Sequence, residues 1–275
     1  MSKWPKELSR TYKTLVEQKK ERIHELQEEI VRKEAFLAGL PSVEVCRLES
    51  PNVRFVRLRS PKEDGQSLKK KQCDLWEFCW GSSALLAYAV TKSLDLTGKS
   101  TLELGGGIGV ATLAVASTFA TSRSVMTDLV EDALKIFSLS TKVGGLKGPV
   151  KGQVLNWNKL SEFQYEAPFD LVMGSDVLFM SWCCAPVAKV VATCLADDGI
   201  MIVVDPYRLN DAAFLSSLEA HGIKEQAVIE IPGPLIETLV GSVLDSRGSV
   251  VPVKRAKLIV ASRQPIPSSI LEVFH

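Results

Sequence analysis

The sequence predicts an α/β protein built on a doubly wound, mostly parallel sheet of about seven strands. From about residue 75 onward, apolar strand-like runs alternate with helical stretches, and this alternation is typical of a parallel sheet covered on both faces. The first of these runs leads into a glycine-rich turn that opens a helix. The predicted strands are 100–104, 124–127, 151–155, 170–173, 199–204, 227–231 and 257–261, and the predicted helices are 76–94, 111–119, 131–143 and 184–195.

Residues 7–40 are predicted to form one long helix in front of the sheet. Glu, Lys and Arg fill most of its faces, and Pro41 ends it. Lys19 and Lys33 occupy positions where a regular heptad would place apolar residues. Two interpretations stay open: a helix that lies across the main domain, or a short coiled-coil or partner-binding arm. The recurring apolar residues of this helix are Leu15, Ile23, Leu26, Ile30, Leu37 and Leu40.

The chain therefore divides into an N-terminal helical extension, residues 1–41, and a main domain, residues 42–275. Residues 43–59 alternate between apolar and polar side chains, which predicts strands before the main sheet. Residues 60–74 are polar and interrupted by Gly and Pro, so we expect an exposed loop whose lysine run is solvated.

Composition excludes several classes of protein. The 275 residues include 33 Lys and Arg against 32 Asp and Glu, a balance that argues against a protein devoted to wrapping nucleic acid. The sequence has six cysteines, none of them in a Cys-x-x-Cys pair, and only three histidines. A structural zinc site would therefore have few suitably spaced ligands. We expect reduced thiols and a soluble chain in the cytoplasm, with the nucleus as a second compartment, because neither a signal sequence nor a membrane span is evident.

The glycine turn is the most informative segment. Glu103, Gly105, Gly107 and Gly109 form Glu-x-Gly-x-Gly-x-Gly at the end of a strand, with Gly106 between the first two glycines. Glycines let backbone N–H groups approach a ligand closely, because no Cβ intervenes. The dinucleotide fingerprint G-x-G-x-x-G fits in neither frame. A tight strand-to-helix turn without a ligand is the alternative.

This segment resembles the first motif of S-adenosylmethionine-dependent methyltransferases with the seven-strand, Rossmann-like fold. The resemblance implies that Glu103 lies beneath the methionine end of the cofactor and that the glycine backbone passes beside it. Asp128 ends the next strand, where a carboxylate can accept both ribose hydroxyls. Asn156 and Trp157 follow the third strand, and we expect them to contact the edge and the face of the adenine.

The order of motifs over residues 75–208 is similar to that of the seven-β-strand protein lysine methyltransferases. The resemblance implies S-adenosylmethionine as cofactor, with Trp80 bordering its pocket and Ser175 preceding the acid after the fourth strand. It also implies Asp176 and Phe179 as catalytic residues that orient and surround the acceptor nitrogen. The group carries Asp/Glu-x-x-Tyr here, whereas this chain has Asp176-Val-Leu-Phe179. Phe179 therefore keeps an aromatic ring beside the acceptor but lacks the tyrosine hydroxyl.

The implied function is methyl transfer to a side-chain nitrogen of a protein substrate, with lysine favoured. Alternatives are an arginine, nucleic-acid or small-molecule methyltransferase, and a cofactor-binding scaffold that acts through the 7–40 helix without turnover. Each candidate residue also has a structural interpretation: Asp128 as a helix cap, and Trp80 and Trp157 as core aromatics. Asp205-Pro-Tyr-Arg208 follows the fifth strand, and we expect it at the rim of the substrate channel or in a structural turn.

Overall fold

The computed structural model describes residues 6–40, 42–58, 76, 79–164, 168–243, 250–251 and 253–275. The strands there are β1 (Val43–Leu48), β2 (Val53–Leu58), β3 (Cys79–Trp80), β4 (Ser100–Leu104), β5 (Arg123–Asp128), β6 (Val150–Val154), β7 (Phe169–Ser175), β8 (Leu195–Asp205), β9 (Glu225–Glu230), β10 (Val250–Val251) and β11 (Lys257–Ser262). The α-helices are α1 (Lys6–Leu37), α2 (Gly81–Ser93), α3 (Val110–Thr118), α4 (Glu131–Thr141), α5 (Cys184–Cys194), α6 (Asp211–Ala220), α7 (Gly233–Val243) and α8 (Ser268–Leu271). Short 3₁₀ helices cover Trp157–Glu162 and Ser181–Cys183.

Seven of these strands form one sheet, in the order β6-β5-β4-β7-β8-β11-β9. The pairs from β6 through β8 are parallel, whereas β11 is antiparallel to both of its neighbours. The predicted doubly wound α/β fold is thus confirmed. Because the parallel strands share one direction, the loops after β4, β5, β6, β7 and β8 meet at one edge of the sheet.

Helices cover both faces of the sheet. In β7, Leu171 and Met173 pack into the layer that contains α2, α3, α4 and α7, while Val172 packs into the layer that contains α5 and α6. This alternation follows from the two-residue period of a strand. Both faces are apolar because both are buried, as expected for a parallel sheet.

The predicted strands within 43–59 form a separate antiparallel hairpin of β1 and β2. The hairpin packs on α4 and α3 through buried side chains such as Val56, whose backbone N–H donates to the Ser140 hydroxyl at 2.8 Å. α1 lies against the outer side of this hairpin through the buried residues Val31 and Ala35.

Two predicted elements differ from the structure. The helix predicted over 76–94 begins only at Gly81, because Cys79 and Trp80 pair with β10 as a short parallel strand. The strand predicted over 199–204 begins at Leu195, and its early exposed residues Asp197 and Asp198 gave it the appearance of a turn. The loop predicted over 60–74 lies outside the described residues.

Candidate functional site

The glycine turn after β4 adopts a backbone that only glycine takes up without strain. Gly105, Gly107 and Gly109 have φ angles of 59°, 55° and 75°, in the left-handed region. The Gly106 N–H donates to the Thr127 carbonyl oxygen at 2.9 Å, which ties the turn to β5. The Gly109 N–H closes the turn onto the Gly106 carbonyl oxygen at 2.8 Å, and α3 begins at the next residue.

Neighbouring groups approach the glycines so closely that side chains would not fit. An added Cβ on Gly105 would lie 3.1 Å from Cζ2 of Trp157, and one on Gly106 would lie 2.6 Å from Cγ of Met126. On Gly107 it would lie 3.3 Å from the carbonyl oxygen of Trp76. The turn is therefore a narrow cradle, with two tryptophans as neighbours.

Glu103 lies beneath this turn, fully buried at the end of β4. Its Oε2 accepts hydrogen bonds from the backbone N–H of Thr112, at 2.9 Å, and from the Thr112 hydroxyl, at 2.5 Å. Burial raises the pKa of Glu103 to about 7, although the bonds from Thr112 act to lower it. Its Oε1 has no hydrogen-bond partner within the described part of the chain, and a buried orphan acceptor of this kind fits a cationic ligand group nearby.

Asp128 lies at the end of β5, on the same edge of the sheet as the glycine turn. Its Oδ2 accepts from the Gly107 N–H at 2.9 Å, and its Oδ1 accepts from the Val130 N–H at 3.0 Å. Val130, not Asp128, is the N-cap residue of α4. Desolvation raises the pKa of Asp128, and hydrogen bonds from the backbone of Val130, Gly107 and Leu129 oppose that shift. A carboxylate has about four lone-pair sites, so Asp128 retains acceptor capacity for a ligand hydroxyl beside its backbone bonds.

Asn156 and Trp157 follow β6 and open the 3₁₀ helix Trp157–Glu162. Oδ1 of Asn156 accepts from the Asn158 N–H at 3.0 Å and so caps that short helix. The half-buried indole of Trp157 lies against Gly105. The structure therefore brings Trp157 to the glycine turn, whereas Asn156 has a capping role of its own.

The start of α2 borders the same edge of the sheet. Trp80 is the half-buried N-cap residue of α2, and Ser83 follows in the first turn. The hydroxyl of Ser83 lies 3.0 Å from the hydroxyl of Ser175, the last residue of β7. Ser83 was not among the residues that the sequence singled out, because a serine in a helix carries no signal of its own.

The loop after β7 is joined to the loop after β8 by a charged pair. Arg208 donates from Nε to Oδ1 of Asp176 at 2.7 Å and from Nη2 to Oδ2 at 2.6 Å. The side chain of Asp176 is 9% exposed and that of Arg208 is 38% exposed, so the pair is shielded on the aspartate side. Arg208 is held in turn by Asp205, whose Oδ1 accepts the Arg208 N–H at 2.7 Å.

Backbone strain gathers at this junction. Asp176, Tyr207 and Leu209 have φ angles of 54°, 62° and 62°, and they are the non-glycine residues with positive φ among those the structure describes. Such conformations persist where the surroundings fix them, and they concentrate at functional sites. The position of the Asp205–Arg208 stretch at the rim of the site stays a prediction beside its interpretation as a structural turn.

Apolar side chains, most of them exposed, follow Asp176 and Arg208 in the two loops. The rings of Phe179 and Trp182 meet edge to face, with centroids 5.9 Å apart. Met180, Trp182 and Leu209 are 53%, 60% and 81% exposed. Nδ2 of Asn210 donates to the Leu178 carbonyl oxygen at 2.7 Å, which holds the two loops together. We refer to Phe179, Met180, Trp182 and Leu209 as the apolar rim.

A glycine cradle, a buried acid beneath it and a second acid at the end of the next strand thus lie together at one edge of the sheet. A model of the lysine methyltransferase family matches residues 63–221, more than half of the chain. The chain belongs to this family. It is therefore a methyltransferase, and S-adenosylmethionine is its cofactor. The orphan Oε1 of Glu103 and the cradle at Gly105–Gly107 fit that cofactor's ammonium and its close approach to the backbone.

Two solved structures illustrate what the methyltransferase is similar to. A TehB-like SAM-dependent methyltransferase from Corynebacterium glutamicum is 16% identical, with a TM-score of 0.46, and the match covers 70% of this chain and 90% of that one. A precorrin-6y methyltransferase from Geobacter metallireducens is 12% identical, with a TM-score of 0.46 and coverage of 73% and 95%.

The part of the chain that the structure describes holds neither a candidate membrane span nor a candidate metal cluster. No helix there has the length and apolar character for a membrane crossing, and no group of three His, Cys, Asp or Glu side chains is placed to hold a metal ion.

Two neighbours of the cradle were not predicted from the sequence as site residues. They are Trp76, whose backbone lies beside Gly107, and Phe137, whose ring packs where a Cβ on Gly109 would lie. Both are ordinary apolar residues in sequence, and only the fold brings them to the glycines.

Proposed function

We propose that this methyltransferase modifies a side-chain nitrogen of a protein, with lysine as the favoured acceptor. The observation that carries the proposal is the apolar rim. Aromatic residues and methionine are enriched in protein interfaces, and here Met180 and Trp182 are exposed beyond the loop that begins at Asp176, at the edge where the parallel strands end. The family to which the chain belongs supports lysine as the acceptor.

We assign the cofactor to the cradle. Trp80, Gly105, Gly106, Gly107, Gly109, Trp157 and Ser175 would line its place, Asn156 would add a contact beside its capping role, Glu103 would hold the ammonium of the methionine end, and Asp128 would accept the ribose hydroxyls. When bound, S-adenosylmethionine supplies an electrophilic methyl on a sulfonium. The task of the chain is then to hold a neutral nitrogen in line with that methyl, which is chiefly a matter of positioning.

Asp176 and Phe179 position the acceptor in this proposal. Arg208 binds both oxygens of Asp176, yet each carboxylate oxygen keeps a second lone pair that accepts an N–H of the incoming nitrogen. Asp176 therefore orients the acceptor and is not a base of the required strength, since an unperturbed lysine ammonium has a pKa of about 10.4. The face of Phe179 attracts the cationic form of the amine as it enters.

We place the protein in the cytoplasm or the nucleus. The buried cysteines Cys79, Cys183, Cys184 and Cys194 form no disulfide bond. Free thiols of this number fit a reducing compartment.

The test is transfer of a labelled methyl group to proteins in a lysate. We expect label on a discrete protein band with the natural chain, no label with Asp176→Ala, and an unchanged affinity of Asp176→Ala for S-adenosylmethionine in calorimetry, because Asp176 meets the acceptor and not the cofactor. Mass spectrometry of the band should identify methyl-lysine. Label found in nucleic acid or in small molecules would contradict the proposal. Methyl-arginine in the labelled band would contradict lysine as the acceptor but not methyl transfer to a protein side-chain nitrogen.

A further inference from the structure

α1 carries an exposed apolar stripe on a face other than the one that lies on the β1–β2 hairpin. The helix meets the domain through Val31 and Ala35, which are buried, and through ion pairs of Glu28 with Arg54 and of Glu34 with Lys142. On another face, seven large apolar side chains are between 43% and 82% exposed. These residues are Tyr12, Leu15, Ile23, Leu26, Ile30, Phe36 and Leu37.

The exposed apolar residues and the domain-facing residues occupy different positions of one heptad repeat. With Ile23 at an a position, the a positions are 16, 23, 30 and 37, the d positions are 12, 19, 26 and 33, and the g positions are 15, 22, 29 and 36. All seven exposed apolar residues fall on a, d or g. The residues that contact the domain, Gln27, Glu28, Val31, Glu34 and Ala35, fall on b, e and f.

We propose that the α1 helices of two copies of this chain pair in an antiparallel coiled coil. In the register we propose, facing a and d residues have numbers that sum to 49, so the two-fold axis passes between residues 24 and 25. Ile23 then meets Leu26 of the second copy at the centre of the pair. Tyr12 meets Leu37 at each end, and the two helices overlap over residues 12–37, about 39 Å at 1.5 Å per residue.

The flanking g positions select this register. In an antiparallel pair, g residues of the two helices face each other along one side of the seam. The register brings Arg22 opposite Glu29 of the second copy and Leu15 opposite Phe36, so charge meets opposite charge and apolar meets apolar. A shift by one heptad would instead place Glu29 opposite Glu29, or Arg22 opposite Arg22.

The two lysines in the seam exclude a parallel pair. In a parallel arrangement, Lys19 and Lys33 would each face their own counterpart, and Glu29 would approach Glu34 of the other helix. In the antiparallel register, Lys19 faces Ile30, and Lys33 faces Val16. The alkyl stem of a lysine covers an aliphatic neighbour while its ammonium reaches water. The polar residues in the seam therefore fix the orientation of the pair.

Sedimentation velocity of the full chain over a range of concentrations tests the proposal. We expect the natural chain to dimerise reversibly, and Ile23→Glu with Leu26→Glu to raise the dissociation constant at least about 100-fold, because carboxylates would enter an apolar seam. The matched control is Gln18→Glu with His24→Glu, which adds the same charge to exposed positions outside the seam and should leave the dimer intact. Equal affinity of all three proteins for S-adenosylmethionine checks that the variants are folded.

A charge exchange tests the register itself. Arg22→Glu alone and Glu29→Arg alone should each weaken the dimer about tenfold, because like charges would then face each other, and the double variant should restore it. A single-chain mass of the natural protein at every concentration would overturn the proposal. So would a dimer that survives the two seam glutamates. A double exchange that fails to recover the dimer would overturn the antiparallel register.

Discussion

At the scale of single residues, burial decides how Glu103 titrates. Desolvation, with a smaller effect of the nearby charge of Asp128, raises its pKa from 4.5 to about 7 against the lowering effect of the two hydrogen bonds from Thr112. Between these two pH values the folded chain keeps the proton that the unfolded chain releases. The free energy of unfolding therefore falls as pH rises through this window and stops falling above about 7. The ionised form, in contrast, is the one that attracts the cofactor's ammonium.

Glu103→Gln separates these two effects. The variant cannot ionise at this position, so we expect its free energy of unfolding to fall less steeply than that of the natural chain between pH 4.5 and about 7. Its affinity for S-adenosylmethionine should be lower by about tenfold above pH 7 and should no longer rise through that pH. Denaturant unfolding and calorimetry at a series of pH values measure the two quantities. Parallel pH profiles of the two proteins would show that Glu103 does not titrate in this range.

At the scale of elements, Gly109 joins the glycine turn to α3 and packs against α4. Gly109→Ala places a methyl group into the ring of Phe137, in addition to the strain of a φ of 75°. Gly98→Ala is the matched control, since Gly98 has a φ of 74° and nothing within 4 Å of its added Cβ. We expect Gly98→Ala to lower the free energy of unfolding by about 1 kcal/mol and Gly109→Ala by a further ~1–3 kcal/mol. Equal losses in denaturant unfolding would mean that Phe137 moves aside without cost.

The loops after β7 and β8 are coupled through the two bonds from Arg208 to Asp176. Arg208→Lys keeps the charge but cannot form both bonds at once, so Asp176 should lose its fixed orientation. We expect kcat on the acceptor to fall about tenfold while the Kd for S-adenosylmethionine stays unchanged. The control is Arg123→Lys, at the start of β5 and thus at the opposite edge of the sheet. An unchanged kcat in Arg208→Lys would show that the pair serves only the stability of the loops.

The sequence predicted the elements of the sheet better than the contacts between them. Apolar runs with alternating helices located β4 to β8 within a few residues, because burial on both faces leaves a continuous hydrophobic signal. The glycine turn and Asp128 were also visible, since each ends a strand at the edge where ligands bind. The bond between Arg208 and Asp176 joins residues 32 apart, and the contact of Phe137 with Gly109 depends on how α4 packs. Local patterns hold no information on such pairs.

At the scale of the whole molecule, α1 divides into two halves with different surroundings. Its second half lies on the β1–β2 hairpin, with Val31 fully buried and Gln27 donating to the Lys142 carbonyl oxygen at 3.1 Å. Its first half has mostly exposed side chains. The second half of α1 therefore lies across the main domain, as the first of the two interpretations expected, whereas the coiled-coil or partner-binding interpretation stays a prediction. The boundary between an extension at 1–41 and a domain at 42–275 stays a prediction.

If the docked half of α1 belongs to the cooperative core, a charge buried beneath it should destabilise the whole chain. We expect Val31→Glu to lower the free energy of unfolding by about 3 kcal/mol in a single transition, because a carboxylate would be buried there without a partner. His24→Glu, at an exposed position of the same helix, should change it by no more than about 0.5 kcal/mol. Denaturant unfolding followed by circular dichroism and by tryptophan fluorescence measures both variants at one low protein concentration, so that association does not contribute. Two separated transitions in Val31→Glu, with the fluorescence change unaffected, would instead make α1 an appendage that unfolds without the sheet.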